Sequence, residues 1–144
     1  MAALLLLETE AMSYISTPVM NYLPTLLVDA NGPAATQLAD QLRHSGFSVD
    51  IAITCPAAHA AARARHYGSL VFVADLNQPM DPECLAGLRK RSPRTWIIVI
   101  SSTVTSEGQE RALRYEADGL LIAPFSTQEL ISRLLAFSQR SRPP

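Results

Sequence analysis

Two stretches of this chain, Leu70-Val71-Phe72-Val73-Ala74 and Trp96-Ile97-Ile98-Val99-Ile100, are apolar at every position. A strand with one face in water alternates apolar and polar residues, so an unbroken run belongs to a central strand covered on both faces. Between the two runs lie helix signals. Asp81 suits an N-cap, Pro82 the first helical position and Glu83 the first turn, while Arg89, Lys90 and Arg91 suit the last turn. Strand, helix and strand in that order imply a parallel pair joined by a right-handed crossover.

The same alternation extends in both directions. Further strand candidates are Thr25 to Val28, Val49 to Ile53 and Gly119 to Ile122. Asn31-Gly32-Pro33 opens a first helix over 33–44, with Leu38 and Leu42 one turn apart and Gly46 after its end. A second helix over 56–66 is alanine-rich and starts at Pro56; a fourth covers 104–116. The fifth starts from Ser126 as N-cap, with Glu129 at the capping-box position. Five strands and five helices in strict alternation predict an α/β fold, a flavodoxin-like (βα)5 three-layer sandwich with a parallel sheet of order 2-1-3-4-5. The expected organisation is an N-terminal extension over 1–24, one domain over 25–139 and a tail over 140–144. The extension has no comparable pattern and admits two readings, a disordered segment or an extra helix.

Composition narrows the function. With 48% hydrophobic residues and 12 basic against 13 acidic side chains, the chain can fill a core, and neither disorder nor charge-driven nucleic-acid binding is expected. The apolar run Ala2 to Leu7 is far short of the ~18 residues of a membrane span. It also lacks the basic residues that precede a secretory core, so no membrane association and a cytoplasmic location are expected. Cys55 and Cys84 have no CxxC partner and read as inert packing thiols, supporting neither a disulfide framework nor a zinc site. His59 and His66 stand seven residues apart on one predicted helix, with His44 on another, which is poor spacing for a metal.

In an open parallel sheet functional groups gather beyond the carboxyl ends of the strands. Asp29 follows the first strand, Asp75 the third and Ser101 the fourth. Clustered carboxylates suit a hard cation such as Mg²⁺, which keeps several waters and takes one or two carboxylates. Each Asp would equally suit a turn, accepting from nearby backbone N–H groups.

The segments Leu-Leu-Val-Asp at 26–29, Asp-Leu-Asn-Gln-Pro-Met-Asp at 75–81, Ile-Ile-Val-Ile-Ser-Ser at 97–102 and Pro-Phe-Ser-Thr-Gln-Glu-Leu at 124–130 resemble the receiver domains of two-component signalling, in order and spacing. The resemblance implies that Asp75 is the phosphoacceptor for a histidine kinase. It also implies that Asp29, Asp75 and the backbone carbonyl of Asn77 hold Mg²⁺, and that Ser101 contacts the phosphoryl group. The chemistry would be in-line attack by a carboxylate oxygen, with positioning and charge neutralisation supplying most of the catalysis.

Several positions depart from that pattern. Ala30 stands where a second acid is expected, Ala123 where a lysine is, and Leu120 where an aromatic switch residue is. Lys90, on the third predicted helix, is the only lysine in the chain. The loop from Asp75 to Met80 is one residue short, and Asp81-Pro82 replaces Asp-Gly. The expected protein is therefore a degenerate receiver with weakened Mg²⁺ binding and impaired phosphorylation, acting as a binding module and not as an enzyme. A fully competent stand-alone regulator is the alternative. Its partner would be a histidine kinase or another signalling protein. Arg111, Arg114 and Arg133 mark a possible dimer surface on the fourth and fifth predicted helices. A flavodoxin-like cofactor protein fits less well, because Asp29-Ala30-Asn31-Gly32-Pro33 offers one Gly and an anion-repelling Asp where a phosphate would sit.

Overall fold

The computed structural model describes residues 24–73, 82–101, 107, 110 and 117–140. Five parallel strands, β1 (Thr25–Val28), β2 (Val49–Ala52), β3 (Ser69–Val73), β4 (Trp96–Ser101) and β5 (Gly119–Ile122), form one sheet in the order β2-β1-β3-β4-β5. Four helices lie within the described residues: α1 (Gly32–His44), α2 (Cys55–Ala64), α3 (Pro82–Arg91) and α4 (Thr127–Ser138). The fold is the expected flavodoxin-like arrangement. The helix expected over 104–116 lies largely outside the described residues, of which Glu107 and Glu110 are helical.

The unbroken apolar runs are explained by covering on both faces. Leu26, Leu70, Phe72, Ile97 and Val99 join Ala58 of α2 and Cys84, Leu85 and Leu88 of α3 in one cluster. The alternate residues Leu27, Val71, Ile98 and Ile100 pack with Ala35, Ala39 and Leu42 of α1 and Leu130, Ile131, Leu134 and Phe137 of α4. Both helix sets recur at three- and four-residue spacing, so each presents one stripe to the sheet. Phe137 also stacks on Trp96, ring centroids 4.6 Å apart.

Local chemistry sets the boundaries. The Asn31 side chain accepts from the Ala34 N–H at 3.1 Å, and the Ser126 hydroxyl from the Glu129 N–H at 3.0 Å. The C-terminus of α1 is a Schellman turn, with Gly46 N–H donating to Arg43 O and Phe47 N–H to Leu42 O. Gly46 sits at φ 101°, a backbone conformation that favours glycine. Several boundaries shift from expectation by a residue or two, and those around α2 matter most. β2 stops at Ala52, leaving Ile53 exposed. Thr54 caps α2 by accepting from the Ala57 N–H at 3.1 Å, so that helix begins at Cys55 and ends at Ala64, which takes His66 off it.

A dense polar network closes the amino-terminal edge of the sheet. Arg89 is buried, and its guanidinium bridges Asp118 at 2.8 Å and donates to Thr95 O at 2.8 Å. The same Asp118 oxygen accepts from the Ile97 N–H at 2.8 Å. Arg89 is thus more than a favourable last-turn residue. Beside it, the Thr95 hydroxyl donates to Tyr67 O, and the Tyr67 hydroxyl donates to Asp50 at 2.6 Å. Burial, then the Asp50 hydrogen bond and charge, push the Tyr67 phenol up to about 12.

Cys55 and Cys84 correct a further expectation. They are not separate packing thiols but form a disulfide between the first residue of α2 and α3, Cα atoms 5.9 Å apart. Spacing alone did not reveal this, because 29 residues separate the pair and it is the crossover that brings α2 and α3 side by side.

Candidate functional site

Asp29 emerges directly from β1, whose burial on both faces leaves the first change of direction at the carboxyl end of the sheet. Its backbone N–H donates to Ala52 O at 3.0 Å, tying it to β2. The residue is buried, 8% exposed, and its side chain accepts from the Asn31 N–H at 2.9 Å. This Asx-type turn satisfies the backbone as the structural reading of Asp29 anticipates, and it also fixes the carboxylate direction. An ionised carboxylate offers about four lone-pair sites, so one such bond leaves capacity for a cation.

Asp29 borders a cavity of about 350 Å³ at the carboxyl end of the sheet. Ala34, Gln37, Leu38 and Gln41 of α1 form one wall, Val73 and Ile100 of the central strands the floor, and Ala123, Phe125 and Thr127 the far side. The Thr127 hydroxyl donates to Gln41 Oε1 at 2.6 Å, joining α4 to α1 at this cavity. Ala123 is half-buried and its N–H donates to Ser101 O at 2.8 Å, which positions the β5–α4 turn against β4. The Ala123-Pro124 peptide is cis.

Ser101 is fully buried at the end of β4, paired in register with Ile122. It is not among the residues lining the Asp29 cavity. Asp29 and Ser101 flank the end of β3, since β3 lies between β1 and β4. Asp75 and Asn77 lie two and four residues beyond Val73 and fall outside the described residues. Ala30, where the resemblance expects a second acid, is exposed. Leu120 is half-buried, pairs with Val99 and packs against the α2–α3 cluster.

Among the described residues lining the cavity there is no arginine, lysine or histidine. Arg91 and Arg94 instead line a separate groove with Arg63, Arg65 and His66, near the amino-terminal edge. As donors for a hard cation the described residues thus supply the Asp29 carboxylate, which fits Mg²⁺ in type and partial burial. Of the residues marked for a dimer surface, Arg133 is exposed on α4, and Arg111 and Arg114 fall outside the described residues. No described helix is long and apolar enough to cross a membrane.

No protein-family model matches the sequence. The transcriptional regulatory protein TctD of Salmonella typhimurium is 31% identical over 118 residues, 81% of this chain and 52% of TctD. The chain therefore spans about half the length of that relative. The CheY-like response regulator receiver domain of Methanospirillum hungatei superposes with a TM-score of 0.72 at 20% identity, over 81% of this chain and 95% of that one. A response regulator from Burkholderia pseudomallei, solved with a phosphorylated aspartic acid, calcium and citrate, gives 0.70 at 22% identity, over 81% and 68%. The chain thus shares the fold of CheY-like receiver domains, and its sequence is similar to part of a bacterial regulatory protein.

Proposed function

We propose that this chain is a cytoplasmic receiver module of two-component signalling in which Asp75 keeps the phosphoacceptor position but phosphorylation is impaired. Asp29, Asp75 and the Asn77 carbonyl would hold Mg²⁺, which when bound neutralises charge on the phosphoryl oxygens. Asp75 would be the attacking carboxylate, Asp29 its charged neighbour across β1, and Ser101 the hydroxyl on the opposite flank. The observation carrying the reading is the cavity wall. Ala123 lines it where the resemblance expects a lysine, and no described cationic side chain replaces that charge. Phosphoryl transfer rests on fixed charge at the equatorial oxygens, so removing the cation removes much of the acceleration.

Output in this reading comes through protein contacts, with a histidine kinase or another signalling protein as partner. The surface carrying Arg111, Arg114 and Arg133 is the proposed self-association face. Light scattering that shows a monomer unaffected by Arg114→Glu removes the self-association part.

The competing reading is a fully competent regulator, favoured by Asp29 and Ser101 flanking the end of β3. Intact-mass measurement after acetyl phosphate and Mg²⁺ separates the two. We expect little phosphoryl adduct on the natural chain, and a marked gain in the Ala30→Asp, Ala123→Lys double variant that is lost again on Asp75→Ala. A stoichiometric adduct on the natural chain, abolished by Asp75→Ala, establishes the competent reading instead.

A further inference from the structure

On the α2–α3 face, away from the Asp29 cavity, three potential metal donors converge. The sulfurs of Cys55 and Cys84 and a ring nitrogen of His59 all lie within 4.8 Å of one another. Cys55 and His59 are one turn apart on α2, so their side chains share one helix face, and Cys84 meets them from α3. A second feature concerns the same imidazole. A Cβ at Gly87 would stand 2.8 Å from His59 Cε1 and 3.3 Å from Nε2. Position 87 thus leaves the room that His59 occupies, and the ring is held against the α3 backbone beside the two sulfurs. Cys84 is buried, while Cys55 and His59 are half-buried, so the cluster is sheltered but within reach of solutes.

We propose that Cys55, Cys84 and His59 form a thiolate–imidazole site for a soft or borderline divalent cation of the Zn²⁺ class, which the disulfide closes and reduction opens. A dithiol reductant exchanges with the Cys55–Cys84 bond, becoming a cyclic disulfide while two protein thiols form. Binding the cation then releases the two thiol protons and leaves both sulfurs as thiolates. Two sulfurs and one nitrogen give three protein ligands, so a fourth, tetrahedral position is left for water or an incoming donor. The donor set also separates this site from the carboxylate end of the sheet. Thiolate and imidazole select Zn²⁺ and its relatives, whereas Mg²⁺ demands oxygen. The ligands must approach to Zn–S distances of about 2.3 Å and Zn–N of about 2.0–2.1 Å, which the present convergence permits once the S–S bond is opened.

The test uses the full chain, reduced with an excess of dithiol that is then removed without oxygen. Co²⁺ is titrated as the spectroscopic probe, and Zn²⁺ affinity is read by competition with a chromophoric chelator. We expect one equivalent of Co²⁺ to give thiolate charge-transfer absorption and tetrahedral d–d bands, Zn²⁺ to displace it and Mg²⁺ to leave it unchanged. The oxidised chain gives no such bands. His59→Ala lowers Zn²⁺ affinity by about tenfold or more. Gly87→Ala, which touches no donor atom but displaces His59, lowers it in the same direction. Circular dichroism on each variant verifies the fold. Absence of charge-transfer bands in the reduced, folded chain overturns the proposal, as does binding of equal strength in the oxidised chain. If His59→Ala and Gly87→Ala remain folded and bind Zn²⁺ as tightly as the natural chain, the imidazole is not a ligand and the three-donor site is refuted.

Discussion

At the amino-terminal edge of the sheet, charged and hydroxyl groups close on partners within the fold: Arg89 on Asp118 and Thr95 O, Asp118 also on the Ile97 N–H, Tyr67 on Asp50. At the carboxyl-terminal edge the Asp29 carboxylate accepts one short-range bond from Asn31 and borders a cavity of about 350 Å³. Both edges belong to the same five strands. The contrast separates two uses of a charge: at the first edge it holds elements together, and at the second it is fixed in direction but left with capacity for a ligand. A buried group whose hydrogen-bonding capacity is consumed by its own fold has little left for chemistry.

The largest expected effect is at Arg89. Its side chain is 8% exposed and that of Asp118 is 13% exposed, so Arg89→Ala leaves a carboxylate buried without its countercharge. The expected destabilisation is about 3–5 kcal/mol, measured by denaturant unfolding. A loss under about 1 kcal/mol would show that this edge is held by other means and would break the comparison. Asp29 changes should not approach this cost.

Much of this layout was legible in the sequence, and the parts that were not share a physical cause. The runs at 70–74 and 96–100 implied two-sided burial and with it a layered parallel sheet, while the order 2-1-3-4-5, the leading candidate for a (βα)5 chain, is the order observed. Asp29 and Ser101 were placed at strand ends because the carboxyl end of a parallel strand is a matter of counting along the chain. Ala123 and Leu120 were singled out by the resemblance alone, and counting gives only their places after and within β5, whereas Asp75, Asn77, Arg111 and Arg114 fall outside the described residues. Arg89 misled because its local context, a basic last turn, is itself favourable, while its partner Asp118 lies 29 positions away. The Cys55–Cys84 pair was misread for the same reason, with both partners on different helices. Local signals report backbone geometry; pairings across 29 residues depend on which elements the crossovers set side by side.

A middle-sized effect is expected at Tyr67. Tyr67→Phe removes the hydroxyl that donates to Asp50, at a cost of about 1 kcal/mol near neutral pH. Its pH dependence is more telling than its size. The phenol is raised in the folded chain to about 12, so the neutral form is favoured by folding. That stabilisation is fully present below the unfolded value of about 10 and is lost as pH rises through the folded value. The natural chain should therefore lose stability between pH 10 and about 12, and Tyr67→Phe should flatten that segment of the curve. Parallel curves for the two proteins would mean that Tyr67 is not what titrates there.

The smallest effect on stability is expected from Asp29→Asn, and it sharpens the comparison most. The amide keeps an oxygen where Oδ1 accepts from the Asn31 N–H, so the turn is preserved and the change stays within about 0.5 kcal/mol. What it removes is the negative charge beside the cavity. Backbone NMR shifts followed through a Mg²⁺ titration, with and without beryllofluoride, read that charge directly. The natural chain should show saturable shifts centred on Asp29 and its neighbours, and Asp29→Asn should abolish them while melting at the same temperature. If the variant instead unfolds easily, the carboxylate is a structural tie like Asp118, and the two edges of the sheet are alike. If it stays folded and the shifts persist, the cation is held without Asp29, and the carboxylate serves its turn alone.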